Sequence, residues 1–315
     1  MQKMLVSTKK IFQKCYGRYG ITAVNVWCME QIHSLFSAAQ KANAPFIVQT
    51  TPVARNYAAP EMLLAMISAA AKIYPDTVFA IHLDHGNKEH VFNCIESGGY
   101  TSVMIDASHE SFGENISITG EVVQKAHAKN ITVEAELGVL SGVEDDITVD
   151  EKSKKYTHPS EVEEFVNQTG CDSLAVAVGT SHGAYKFSGG KGLQFDILEE
   201  VQKKLPGFPL VLHGGSAVNV EEIQRINAAG GQLGTDARGV SDEELVKSIR
   251  YGVCKINIAT DARLIWTRVH REFFKHAPAQ FDPVIPGKTY MNALEEFILE
   301  KFELLRATGK ADELK

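Results

Sequence analysis

The stretch TVFAIHLDHG (77–86) joins an apolar, β-branched run to two histidines, an aspartate and a glycine. Its first half reads as a strand buried on both faces, and its second half puts chemistry-bearing side chains where that strand ends. HLDHG is either the polar tip of a core strand or one piece of a metal site. How the other strands end decides between the two.

Similar runs recur along the chain: ITAVNV (21–26), PFIVQT (45–50), TVFAIHLD (77–84), TSVMID (101–106), ITVEAEL (131–137), SLAVAVG (173–179), PLVLHG (209–214) and CKINIA (254–259). Helical patterns separate them, among them AAPEMLLAMISAAAKIY (58–74), SEVEEFVNQT (160–169) and DILEEVQKKL (196–205). Ser160 followed by Glu163 fits a capping box. Near-continuous apolar strands imply a parallel sheet covered by helices. Eight β/α units between residues 21 and 259 match a closed (β/α)8 TIM barrel. An open doubly wound sheet is the alternative, but the first βα turn has no G-x-G-x-x-G. No Pro/Gly/Ser-rich linker divides the chain, so residues 1–315 read as a single barrel domain. Long loops follow strand five (138–159) and strand seven (226–244), the latter with room for a partial extra helix. YMNALEEFILEKFELLRA (290–307) reads as a long amphipathic helix.

Composition narrows the function classes. Charged residues make up 23% of the chain, hydrophobic residues 44%, and net charge is −7, with no long basic run. Nucleic-acid binding driven by counterion release is therefore not expected. No apolar stretch approaches the ~20 residues of a membrane span, and MQKMLVSTKKIFQKCYG (1–17) lacks the apolar core of a signal peptide. The five cysteines are scattered and never in a C-x-x-C pair, as in reduced, mostly buried thiols of a cytoplasmic protein.

In a barrel of this kind the catalytic side is the C-terminal end of the strands. There, strand one carries Asn25 and strand two runs into Thr50 and Thr51. Strand three ends Asp84-His85, strand four ends at Asp106, and strand five holds Glu134 and Glu136. Strand six runs into GTSHG with His182, strand seven into HGGS with His213, and strand eight holds Asn257 before ATD. One histidine at a strand end is ordinarily a hydrogen-bonded structural residue. Three at the same end of three strands, His85, His182 and His213, converge on one mouth and suit a catalytic Zn²⁺ with an open position.

An unbroken strand sends adjacent Asp84 and His85 to opposite faces. Gly86 permits the bend that brings both into the mouth, leaving Asp84 as an acid/base beside the metal ligand. His82 reads as a supporting or structural residue. Glu136 and Asp106 are candidates for orienting a ligand or holding a second divalent ion. Their bland alternative is a buried carboxylate satisfied by neighbouring donors. Glu144, on a glycine-flanked loop, is placed to deliver a base after substrate binds. HGGS (213–216), NIAT (257–260) and Gly183 offer backbone N–H groups to a phosphate, with Ser216 and Thr260 adding hydroxyls.

With these residues assembled, the chain resembles class II, metal-dependent ketose-bisphosphate aldolases over nearly its whole length. The resemblance rests on HLDHG, VMIDASH, VEAELG, GTSHGAY, LVLHGGS and KINIATD in that order. It implies that His85, His182 and His213 hold zinc, and that Asp84 handles the proton on the substrate hydroxyl. It further implies that Glu144 handles the proton at the enediolate carbon. Gly183, Gly214, Ser216, Asn257 and Thr260 would surround the dihydroxyacetone-phosphate phosphate. Asp106 and Glu136 would serve an alternative or second metal site, and a Na⁺ or K⁺ would lie near the glycine loops. The implied reaction is reversible cleavage of fructose 1,6-bisphosphate, by a cytoplasmic homodimer or homotetramer with the C-terminal helix as a contact.

Two departures bear on the distal end of the sugar. Ala259 stands where several relatives have an aspartate, which also suits a tagatose-1,6-bisphosphate aldolase. Val284, in FDPVIPGK, stands where fructose-specific relatives often carry an arginine. Arg55 and Lys288 are substitute candidates for the distal phosphate, Arg263 a weaker one, and Thr51 falls near a family serine. Rival readings are weaker. A Schiff-base aldolase needs a lysine at the mouth, and Lys255 reads as lying at the wrong end of strand eight. A zinc hydrolase would show H-x-H where this chain has NVW. A non-catalytic barrel with a decayed site is separable only by assay.

Overall fold

The computed structural model describes residues 4–139, 141–144, 147–149, 155–182, 192–235 and 239–315, with the backbone alone at 141–144, 147–149 and 181–182. The first half of the chain runs α1 (Thr8–Cys15), β1 (Ile21–Asn25), α2 (Met29–Ala42), β2 (Phe46–Thr50), α3 (Pro52–Ala58), α4 (Pro60–Ile73), β3 (Phe79–Gly86), α5 (Lys88–Ser97), β4 (Ser102–Ile105), α6 (Phe112–His127) and β5 (Thr132–Leu137). Then follow β6 (Ser141–Glu144), β7 (Ile147–Val149), α7 (Val162–Thr169), β8 (Ser173–Val176), β9 (Ser181–His182), α8 (Phe195–Lys204), β10 (Leu210–Leu212), α9 (Val220–Ala228), α10 (Asp242–Ile249), β11 (Val253–Ile258), α11 (Thr260–His276) and α12 (Val284–Leu304).

Eight of these strands close a parallel barrel in the order β1-β11-β10-β8-β5-β4-β3-β2. The expected (β/α)8 barrel is therefore the observed fold. Every residue of β1 to β5, β8, β10 and β11 is buried, because side chains meet the barrel interior on one face and helices on the other. Between barrel and helices, Phe36 of α2 packs edge-on against Phe46 and Phe79 at the starts of β2 and β3. At the opposite end from the strand-end residues, α1 closes the barrel floor. Its Ile11, Phe12 and Cys15 are buried, and Thr8 Oγ1 lies 2.6 Å from Thr132 Oγ1 at the start of β5.

Four local expectations are refined. The helical pattern over 58–74 forms α4, trimmed to Pro60–Ile73 because Ala59 turns to φ 65° and Pro60 begins the first turn. The Ser160–Glu163 capping box does not form. The N-cap is Glu161, which puts Glu163 one position too early, and Ser160 Oγ pairs with His158 Nδ1 at 2.6 Å. The loop at 138–159 contains an antiparallel hairpin, β6 with β7, and β6 also runs parallel to β9. Segment 226–244 has no complete helix among its described residues; α9 ends in it and α10 begins in it.

The three-stranded sheet β7-β6-β9 belongs to the catalytic end, since β6 follows β5 and β9 follows β8. Helix α12 buries Tyr290, Leu294, Ile298 and Phe302.

Candidate metal centre at the barrel mouth

The strand β3 carries the first two site residues, and its geometry differs from expectation at one point. The bend lies at His85, which takes φ 47°, where the pairing of β3 with β4 shifts register between Leu83 and Gly86. Such a bulge re-aims a side chain, so Asp84 and His85 both reach the mouth. Gly86 is needed for room instead. A Cβ there would stand 2.5 Å from Leu83 Cδ2, 2.8 Å from Val91 Cγ2 and 2.9 Å from the Met104 carbonyl oxygen.

His85 and His213, from strands far apart in sequence, meet directly. His85 Nε2 lies 2.8 Å from His213 Nδ1. The remaining nitrogen of each ring faces a carboxylate, His85 Nδ1 at 3.0 Å from Asp106 and His213 Nε2 at 2.9 Å from Glu134. A carboxylate accepts hydrogen bonds, so a ring that gives its N–H outward turns a lone pair toward the other ring. These two nitrogens, with the Asp84 carboxylate in the same group, form a cluster that could hold a metal ion. Burial, reinforced by His85, lowers the His213 pKa from its usual value, which keeps the ring neutral and able to ligate.

Two overlapping groups have ligand atoms within 4.8 Å of one another, Asp84-His85-His213 and His85-Asp106-Glu136. His85 is common to both. Burial works to raise the Asp106 carboxyl, but hydrogen bonds from His85 and Ser108 outweigh it and hold the group well below the usual carboxylate range. Glu136 Oε2 lies 3.9 Å from His85 Nδ1. His182 ends β9 and its backbone pairs in register with Gly142 of β6, so the strand bearing it runs beside the one that ends at Glu144. The side chains of His182 and Glu144, and all of Gly183, lie outside the described residues.

Asp84 is fully buried, and both carboxylate oxygens accept from amides, Oδ2 from Asn25 Nδ2 at 2.8 Å and Oδ1 from Asn257 Nδ2 at 3.0 Å. Gln49 Nε2 donates to Asn25 Oδ1 at 2.5 Å and so fixes the amide that holds Asp84. Among the described residues Asn257 Oδ1 has no hydrogen-bond partner, an acceptor left for a ligand.

The glycine loops after β10 and β11 are tied to each other. Gly215 N donates to the Asn257 carbonyl at 3.1 Å, and Ser216 Oγ accepts from Ala259 N and Asp261 N at 3.4 Å each. The Asp261 carboxylate takes the N–H groups of Ala217 and Val218 at 2.9 Å, holding Val218 at φ 53°, a strained backbone for a β-branched residue. Gly214 sits at φ 65° and Thr260 is buried at the first turn of α11. Asp261 had no role in the sequence reading; its one signal is its place in the first turn of the helix after strand eight.

A cleft of about 310 Å³ beside this site is lined by Asn25, Trp27, Thr51, Tyr57 and Arg263, among others. Of the three cations weighed for a distal phosphate, Arg263 is the one in its wall, with its guanidinium 5.6 Å from the Trp27 ring centroid. Arg55 is instead turned into the scaffold, bonded to Tyr100 Oη at 2.7 Å and to Asn93. Lys288 is exposed on α12 and outside that lining. Thr51 caps α3 by accepting from Ala54 N at 3.2 Å.

Sequence reasoning also missed a pair below the metal centre. Lys255, read as too far down strand eight to matter, is fully buried inside the barrel with Nζ 2.8 Å from Glu134 Oε2 and 4.0 Å from Asp84 Oδ1. Period-two counting would have found it, since Lys255 is two residues before Asn257 and shares its face. The cysteines conform to packing: burial pushes Cys28, Cys94 and Cys171 up to about 12.

This arrangement accompanies a decisive sequence match. A family profile described as Fructose-bisphosphate aldolase class-II covers residues 6–232 and 234–310. The chain belongs to the class-II fructose-bisphosphate aldolase family. Proteins named fructose-bisphosphate aldolase from Treponema pallidum (strain Nichols) and Thermus caldophilus are 40% and 41% identical to it, each alignment covering 98% of this chain and 98% and 100% of the relatives. The crystal structure of the YdjI aldolase from Escherichia coli K12 matches with a TM-score of 0.77 at 29% identity, over 98% of this chain and 100% of that one. As a member of the class-II aldolases, the protein is a metal-dependent lyase, and the His/Asp/Glu groups at its mouth fit that dependence.

Proposed function

We propose that the protein reversibly cleaves fructose 1,6-bisphosphate to dihydroxyacetone phosphate and glyceraldehyde 3-phosphate, with zinc held by His85, His182 and His213. The observation that carries this reading is the pair of imidazole nitrogens 2.8 Å apart, each ring faced from behind by a carboxylate. Nitrogen donors favour zinc over magnesium or calcium. Asp106 and Glu136 would take a second or alternative divalent ion, and a Na⁺ or K⁺ near the glycine loops belongs to the same proposal.

When bound, the ion supplies Lewis-acid stabilisation for the negative charge that collects on the ketone half as the C3–C4 bond breaks. Asp84, aimed by Asn25 and Asn257, takes the C4 hydroxyl proton. Glu144, carried by β6 beside β9, returns a proton to the three-carbon fragment, or removes it in the condensation direction. Gly183, Gly214, Ser216, Asn257 and Thr260 bind the phosphate of that fragment through the tied loops, where N–H groups and hydroxyls replace water. At the other end of the sugar, Thr51 and Arg263 face the cleft and are assigned to the distal phosphate; the placement of Arg55 and Lys288 favours neither of them. The expected homodimer or homotetramer and the cytoplasmic setting are part of this proposal. Among the described residues no helix is long and apolar enough to cross a membrane.

Cleavage rates on fructose and tagatose 1,6-bisphosphates, each with and without a chelator, test the assignment. Faster, chelator-sensitive cleavage of the fructose substrate is expected. Preference for tagatose 1,6-bisphosphate would transfer the assignment to that sugar, with Ala259 as the first residue to exchange.

A further inference from the structure

From His213 a chain of buried polar side chains runs down beneath the metal centre. His213 Nε2 faces Glu134 Oε1 at 2.9 Å, and Lys255 Nζ donates to both Glu134 oxygens, at 3.0 and 2.8 Å. Lys255 Nζ also lies 3.1 Å from His82 Nε2, and His82 Nδ1 lies 2.8 Å from Ser102 Oγ. Ser102 Oγ accepts from Thr8 Oγ1 on the floor helix at 3.4 Å. His82, Glu134, Lys255 and His213 are at most 1% exposed. His82, Glu134 and Lys255 each precede a mouth residue, Asp84, Glu136 and Asn257, by two positions, so they form the layer directly below.

An ion pair this deep is weak evidence for stability, since a well-packed apolar replacement is commonly as stable or more so. Its position suggests another use. His213 has two tautomers. With its proton on Nδ1, the ring donates to His85 Nε2 at 2.8 Å, which closes the place a metal would take but sets the Nε2 lone pair against Glu134 Oε1. With its proton on Nε2, the ring donates to Glu134, and Nδ1 offers a lone pair to the mouth. Glu134, clamped by Lys255 on both oxygens, accepts only and selects the second form.

We infer that Lys255 and Glu134 are positioning residues that hold His213 in its metal-binding tautomer and thereby set the affinity of the site. The inference rests on the metal centre proposed above. In this arrangement Lys255 acts through Glu134, touching neither metal nor substrate. The buried lysine that a Schiff-base mechanism would recruit is thus tied to the metal site.

The Lys255→Met/Glu134→Gln double variant removes both charges while keeping side-chain volume. Its zinc affinity, measured by competition with a chromophoric chelator, should fall about ten- to a hundredfold against the native protein. Circular dichroism and the melting profile should stay native. A folded double variant with unchanged zinc affinity overturns the inference and leaves the pair a core element. Native protein that binds no zinc overturns the metal reading itself, and the inference with it. ¹⁵N shifts of the histidine rings in the metal-free native protein provide a second readout independent of any variant: His213 protonated at Nε2 supports the inference, and protonation at Nδ1 contradicts it.

Discussion

Asn257 places one amide nitrogen 3.0 Å from Asp84 Oδ1 and 3.2 Å from His213 Nδ1. A single side chain at the end of β11 therefore spans the Asp84 carboxylate and a ring nitrogen of His213. On the other side, Asn25 secures the second oxygen of Asp84 at 2.8 Å. The carboxylate is held on both oxygens, the fixed placement that the proton-handling role proposed for Asp84 requires.

Asp84→Asn keeps the shape and removes the base. Turnover should fall by roughly 10²–10⁴-fold, the range for loss of a general base, while bound zinc measured by atomic emission stays at the native level. Loss of zinc in this variant would make Asp84 a ligand, a role its place in the Asp84-His85-His213 group allows.

Gly86→Ala tests the packing behind the β3 bulge. The new methyl would meet Leu83, Val91 and the Met104 carbonyl oxygen, each at less than 3.0 Å. Overpacking of this kind costs about 1–3 kcal/mol, and displacement of the strand should misplace His85 as well. A variant as stable as the native protein in urea titration, with native metal content, would remove this account of the glycine.

Stability should fall as pH drops below neutrality, and His82 gives the reason. Burial, with Lys255 adding to it, lowers its pKa from 6.5 to about 3. Between those values the unfolded chain takes up a proton that the folded protein refuses. This group therefore contributes stability that is present above pH 6.5 and lost progressively toward pH 3, at about 1.4 kcal/mol per pH unit inside the window. His82→Gln, which keeps an acceptor for Lys255, should flatten the dependence of the melting temperature on pH between 6.5 and 4.5. Parallel profiles for the two proteins would contradict this.

The strands were legible because burial on both faces leaves no polar alternation to blur a run such as PLVL or VCKINI. The mouth was legible because position along a strand is local information: Asp84, His85, Asp106 and His213 all come last or nearly last. What local pattern cannot encode is pairing. Glu134 was visible at its strand end without any sign of which residue it faces, and Lys255 was dismissed by its position along β11. The bend was assigned to glycine, the residue that bends most easily, whereas the bulge imposed the positive φ on His85 and used Gly86 for clearance.

The most direct test of the central claim is cleavage of fructose 1,6-bisphosphate by protein stripped of metal, then titrated with zinc. The stripped protein should be inactive, regain cleavage as about one equivalent of Zn²⁺ per chain is restored, and give no adduct with borohydride in substrate. Stripped protein that still cleaves the sugar, and that borohydride traps through a lysine, would contradict it.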